Sequence, residues 1–335
     1  MKLNNKGFAL TSIIYMLIVL FLMIMLLILA NLAQRKVVLD KIKNDVKQKL
    51  NQGGVASEKI TARDLYYQSN YTQCRNIQCA IDELYGRLNG NGNQTSNQPV
   101  SFATDSWATI KNAIHNNNTS AYHVGDRKQI TLIGTGDLAR TLYVRVANNS
   151  NYDCSLDSKT ACGFVVEFED IITTHIMNST DTNVGGWPAT EMRSWLNSTV
   201  LAALPTDLQS VIATTTVVSG HGSTSGESNF TSQDKLYLLS SREIYGTSFE
   251  FDTLTTQTRQ LDYYYNGGNG LTSGNSGSSH LDMAIKRYNG TANTWWLRST
   301  DGSWTAGFIF VSATGYWDNY SGNVNYGVSP AFRID

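Results

Sequence analysis

The chain is short of charge. Asp, Glu, Lys and Arg make up 16% of its 335 residues, against about 25% in an average globular protein. Gly, at 27 residues, and abundant Asn, Ser and Thr fill the difference. Such a composition describes a loop-rich, uncharged polar surface of extracytoplasmic kind. A basic face is missing as well. Residues 1–59 hold nine Lys/Arg and three acids, whereas 17 Lys/Arg meet 24 acids from Ile60 onward. The bulk is mildly acidic, which excludes nucleic acid as a partner, because phosphate binding needs clustered basic residues. The parts for metal or catalytic chemistry are also lacking. His115, His123, His175, His221 and His280 stand singly, without HExxH or paired spacing, so no metal site is expected. There is no GxSxG, and SGHGSTSGES around His221 reads as a glycine–serine loop rather than a nucleophile elbow. Gly134-Thr135-Gly136 lacks the third glycine and the following helix of a dinucleotide site. The expectation is a protein that is not an enzyme and has no cofactor.

What is present begins with an uncharged, Leu/Ile/Met-rich run over residues 8–33, about 39 Å of helix at 1.5 Å per residue and long enough to cross a bilayer. Beyond it, Leu39, Ile42, Val46 and Leu50 form a narrow apolar stripe on a basic helix that ends at Gly53-Gly54. The stripe suits a stem packed on a partner or on its own head, with membrane-surface contact through the lysines as the competing reading. A neck over 55–88 and a flexible linker over 89–99, NGNGNQTSNQ at its heart, lead to a head over 100–335. The cysteines form two local pairs, Cys74 with Cys79 and Cys154 with Cys162. An even count in a membrane-anchored chain favours disulfides over metal, buried free thiols being the alternative. Disulfides imply an oxidising exterior and outweigh the basic flank of Arg35, Lys36, Lys41, Lys43, Lys47 and Lys49, which by itself argues for a cytoplasmic head. The head consists of short strand-like runs (QITLIG, TLYVRVA, CGFVVEF, KLYLLS, WWLRS, AGFIFVSA, VSPAFRI) with helices near 107–114, 189–196 and 200–213, a mixed α+β pattern.

Two resemblances follow from particular residues. The leader MKLNNKG, with Lys2 and Lys6 ahead of Gly7 and then Phe8, resembles that of type IV pilins and pseudopilins. The resemblance implies cleavage by a prepilin peptidase between Gly7 and Phe8 and association with other pilin subunits. Ser12 stands where that family carries the Glu used in filament assembly. In the head, EMRSWLN (191–197), DKLYLLSSREIYG (234–246), WWLRS (295–299) and GVSPAF (327–332) look like the blocks of an uncharacterised bacterial extracellular domain family. That family resembles the C-type-lectin-like fold shared with formylglycine-generating enzymes and with diversity-generating-retroelement target proteins. The implied fold class is α+β: a long N-terminal transmembrane and stem helix followed by a C-type-lectin-like head. Ser329 replaces an Arg usual in the last block. Trp195, Trp295, Trp296 and Phe332 read as core, and Arg193 and Arg298 as buried partners of acids or carbonyls.

The segment ATGYWDNYSGNVNY, residues 313–326, sets Tyr316, Trp317, Tyr320 and Tyr326 among Asp318, Asn319, Ser321, Asn323 and Asn325. That is the composition of adaptable binding loops, and it is similar to the variable segment of retroelement-diversified proteins. Trp304 is expected to border the same face. An ordinary hairpin with inward-packed rings is the alternative. The functional expectation is a ligand-binding, adhesin-like protein that holds its head outside the cell, anchored in the membrane through residues 8–33 or incorporated in a pilus. The ligand is a surface glycan or protein. A structural minor pilin or envelope component without a ligand, or an extracellular enzyme, are the rivals.

Overall fold

The computed structural model describes residues 98–150, 154–223, 228–252, 254 and 257–335, together with Lys41. The chain divides into two units, Met1–Leu65 and Tyr66–Asp335, and every element below belongs to the second.

Continuous apolar runs form strands covered on both faces. In one sheet β1 (Arg127–Thr131), β2 (Thr141–Ser150) and β3 (Gly163–Phe168) pair antiparallel, and the last strand of the chain, β13 (Ala331–Ile334), adds beside β3. The second sheet has the order β11 (Trp317–Ser321), β10 (Gly307–Val311), β9 (Trp295–Thr300), β12 (Tyr326–Val328), β4 (Thr173–His175). All six residues of β9, WWLRST, are buried. β12 runs parallel to β9 and antiparallel to β4, so the chain end is inserted between strands 120 residues apart in sequence. Two hairpins, β5 (Thr215–Ser219) with β6 (Phe230–Asp234) and β7 (Lys286–Tyr288) with β8 (Thr291–Asn293), complete the strands.

Helices are short. α1 (Trp107–His115) is capped by Ser106, whose hydroxyl accepts from Thr109 N–H, and it buries Trp107, Ile110 and Ala113. Its Trp107 joins Phe102, Tyr122, Phe164 and Phe332 in a ring cluster with centroids 5.9–6.3 Å apart. α2 (Glu191–Trp195) continues through a π-helical turn, Leu196–Val200, and α3 (Thr206–Gln209) follows Pro205. α4 (Ser241–Tyr245) starts with a capping box between Ser240 and Glu243, and α5 is Asp262–Tyr265. Several buried charges are paired. Arg298 grips Glu243 with both terminal nitrogens, at 2.5 and 2.6 Å, Arg145 and Lys286 share Glu167 at 2.9 and 2.8 Å, and Arg193 meets Asp234 at 2.6 Å. Ser329 is buried and donates to the Phe168 carbonyl at 3.0 Å.

Two expectations are corrected. The described residues form a β-dominated mixed α/β structure, not a head behind a long helix. Their longest α-helix has nine residues, and among them no helix is long and apolar enough to cross a membrane. Gly- and Asn-rich turns interrupt the pattern every few residues, and period-2 runs favour strands over long helices. The localisation built on that helix, single-pass in the cell membrane with the head outside or incorporated in a pilus, is withdrawn with it. The leader 1–7 with Gly7 and Phe8, the run 8–33, the stem 34–54, the neck with Cys74 and Cys79, and the linker up to residue 97 lie outside the described residues. Cys154 and Cys162 are joined as a disulfide.

Candidate binding face

β10 and β11 form a hairpin in which Gly307 faces Ser321 and Val311 faces Trp317. The Ser312 N–H closes the turn on the Tyr316 carbonyl at 2.7 Å. Successive side chains of a strand leave opposite faces, and β11 divides its residues accordingly.

Trp317, Asn319 and Ser321 point inward. The Trp317 ring is 9% exposed. It lies edge-on to Tyr245 and Phe249, with centroids 4.8 and 5.7 Å away, and its Nε1 donates to Asn275 Oδ1 at 3.1 Å. A Cβ on Gly274 would come within 2.3 Å of Trp317 Cδ2, so the bare backbone there makes room for the ring. Asn319 donates through Nδ2 to the buried Asp301, and Ser321 donates to Asp181. Asp301 also accepts from Ser303 N–H at 2.6 Å and Trp304 N–H at 3.2 Å. That places Trp304, 38% exposed, in the Asp301 loop rather than beside the tyrosines. Tyr316 is half-buried in the turn, and Asn323 and Asn325 are exposed in the turn before β12.

Asp318 and Tyr320 point outward, directly opposite Phe310 and Phe308 of β10. Tyr320 is 49% exposed and lies 6.1 Å, centroid to centroid, from the half-buried Tyr326. Tyr326 in turn packs on Trp296 at 4.7 Å and on Phe310 at 5.3 Å. Burial pushes the Tyr326 phenol up, and the neighbouring Tyr320 and Asp318 add to the shift. The surface extends across the sheet. Tyr326 faces His175 of β4, Trp296 Nε1 donates to the His175 carbonyl at 3.1 Å, and the His175 ring stacks on Trp195 at 4.3 Å with 17° between planes. Hydrogen bonds from Ser179 hold the exposed Glu191 carboxyl below the usual range, and the nearby His175 contributes.

The structure therefore brings Asp318, Tyr320 and Tyr326 together with Phe310, Trp296, His175 and Trp195, and assigns Trp317, Asn319, Ser321 and Trp304 elsewhere. Sequence reasoning missed Phe310 and His175 as surface residues. Their only sequence signal was the alternation in GFIFV and the aromatic-rich flanks of a short strand. β11 is an edge strand, yet two of its edge-facing N–H groups are occupied. Trp317 donates to the Gly274 carbonyl at 2.8 Å and Asn319 to the Asp318 carboxylate at 2.8 Å. Edges blunted in this way resist strand addition by a peptide.

Another opening, a cleft of about 600 Å³ beside Val124, Tyr263, Tyr265 and Met283, offers less. Its one carboxylate, Asp262, already accepts from Ser150 Oγ and Asn149 N–H, both at 3.1 Å, and from Arg259 at 2.9 Å. Among the described residues no three metal-ligating side chains come together.

Fold and face define a β-rich module with an aromatic surface on one sheet. A family model described as a domain of unknown function (DUF6273) matches residues 165–335, just over half of the chain, and the chain belongs to that family. The matched region contains every residue of the aromatic face. No curated protein and no solved structure matches the chain.

Proposed function

We propose that this protein is a ligand-binding protein without catalytic activity, and that it binds through the outward face formed by Tyr320, Tyr326, Phe310 and Asp318. The observation that carries this reading is the exposed Tyr320 ring standing on a half-buried aromatic floor. Monomeric surfaces seldom leave contiguous aromatic area uncovered unless something covers it in use. Rigid rings supply contact area at small entropic cost, and the short polar side chains around them supply hydrogen bonds. The ligand is a glycan or a protein. A purely structural spacer gains nothing from an exposed aromatic platform.

The test is a screen of the purified chain against immobilised glycans and surface proteins, repeated with Tyr320→Ala. Because Tyr320 is half exposed, the variant is expected to keep its melting temperature within a few degrees, a shift on the order of that for a change of 1 kcal/mol or less, and to lose the binding. Undiminished binding by a folded Tyr320→Ala protein contradicts the assignment.

A further inference from the structure

We infer that the aromatic face takes an uncharged saccharide laid across two stacking positions. This rests on the reading of the face as a binding surface and goes beyond it by fixing the ligand class. The first position is Tyr320 with Tyr326, backed by Trp296 and Phe310. The second is the Trp195–His175 stack. The two share one side of the sheet, because residues directly opposite on antiparallel strands project together and Tyr326 is opposite His175.

Each position carries one exposed carboxylate. Asp318 lies two residues before Tyr320 on the same face of β11, close enough for its charge to act on Tyr326. Glu191 lies one helical turn before Trp195, at the i,i+4 spacing that makes helix residues neighbours, and its carboxyl senses His175. An aromatic ring presents an electron-rich face, which suits the C–H-lined face of a pyranose. A carboxylate accepts hydrogen bonds from the hydroxyls along the sugar's edge.

The same geometry disfavours the other ligands of aromatic sites. The rings of the first position touch one another at 4.7–6.4 Å, which leaves no ring-lined gap to enclose an ammonium group. At the first position an anionic sugar meets only the exposed Asp318 carboxylate. Residues 303–328 contain no Lys, Arg or His, and the one Arg of α2, Arg193, is held by Asp234 at 2.6 Å. Peptide addition to β11 is opposed by its occupied edge.

The experiment uses the full chain and an array of neutral di- and hexasaccharides built of glucose, mannose, galactose, xylose or N-acetylglucosamine, with sulfated and uronate counterparts and choline as charged probes. Binding to at least one neutral series and none to its sulfated or uronate forms is expected. Tyr320→Ala should weaken both lengths roughly tenfold or more, the loss of one stacking ring. Glu191→Ala, at an exposed residue, should weaken the hexasaccharide and leave the disaccharide unchanged. Failure to bind any neutral saccharide overturns the inference. Tyr320-dependent binding of a charged or protein ligand overturns it while leaving the binding face in place, and neutral-sugar binding indifferent to Tyr320→Ala removes the face itself.

Discussion

Trp317 and Tyr320 sit three residues apart on one strand and have opposite roles. The Trp317 ring fills the space beside Tyr245 and Phe249, so Trp317→Ala leaves a cavity and is expected to cost about 3–5 kcal/mol, read as a lowered urea midpoint. Tyr320→Ala removes a half-exposed ring, and the same measurement should show a change of about 1 kcal/mol or less. Equal losses for the two variants would mean that Tyr320 is part of the core. Gly274 belongs with Trp317. A methyl group 2.3 Å from Trp317 Cδ2 must push the indole aside, and Gly274→Ala should destabilise by about 1–3 kcal/mol, the usual range for overpacking, while sparing the outward face.

Between residues and the whole molecule, the loop closed by Cys154 and Cys162 is an element in its own right. It carries two buried hydroxyls inward. Ser158 accepts from Val218 N–H at 3.2 Å, and Thr160 donates to Glu243, the carboxylate that also grips Arg298. The loop thus helps satisfy a buried ion pair whose arginine belongs to β9, the strand that also carries Trp296. Replacing both cysteines with Ser is expected to lower stability by about 2.5 kcal/mol in the chain-entropy account of a loop this size. Comparing the urea midpoint with that of the intact protein checks it, and an unchanged midpoint would show that the hydrogen bonds alone hold the loop. Arg298→Met strands Glu243 in the core without its partner and should cost about 3–5 kcal/mol.

At the scale of the whole molecule, the buried carboxylates set the response to acid. Desolvation alone raises the Glu167 carboxyl, but the Arg145 and Lys286 charges outweigh it and hold the group below its usual range. Arg298, with hydrogen bonds from Thr160 and Ser240, does the same against the desolvation of Glu243. A carboxyl with a depressed folded pKa contributes stability that is present above the unfolded value, about 4.3, and is lost as pH falls through the folded one. Melting temperatures should therefore fall steeply below about pH 4.3 on account of these two groups, and Glu243→Gln should flatten that limb while lowering stability at neutral pH. The linear sequence already carried a good part of this architecture. Strand runs such as WWLRST and GFVVEF, the pairing of Arg193 and Arg298 with acids, and the mixture of short helices and strands follow from local pattern and from the cost of unpaired buried charge. The apolar run 8–33 is equally legible in the sequence, but it lies outside the described residues, among which no helix is long and apolar enough to cross a membrane. What pattern could not decide was which face of β11 the fold covers. Alternation separates Trp317 from Tyr320, yet the inward side is chosen by Gly274, Tyr245 and Phe249 from two other segments. His175 and Trp195 became part of the face only because β12 inserts between β9 and β4, which brings Tyr326 opposite His175 from far along the sequence. The sequence determined the elements, because their periods and caps are local. The tertiary structure alone decided the aromatic face, because a surface is whatever long-range strand pairing leaves uncovered.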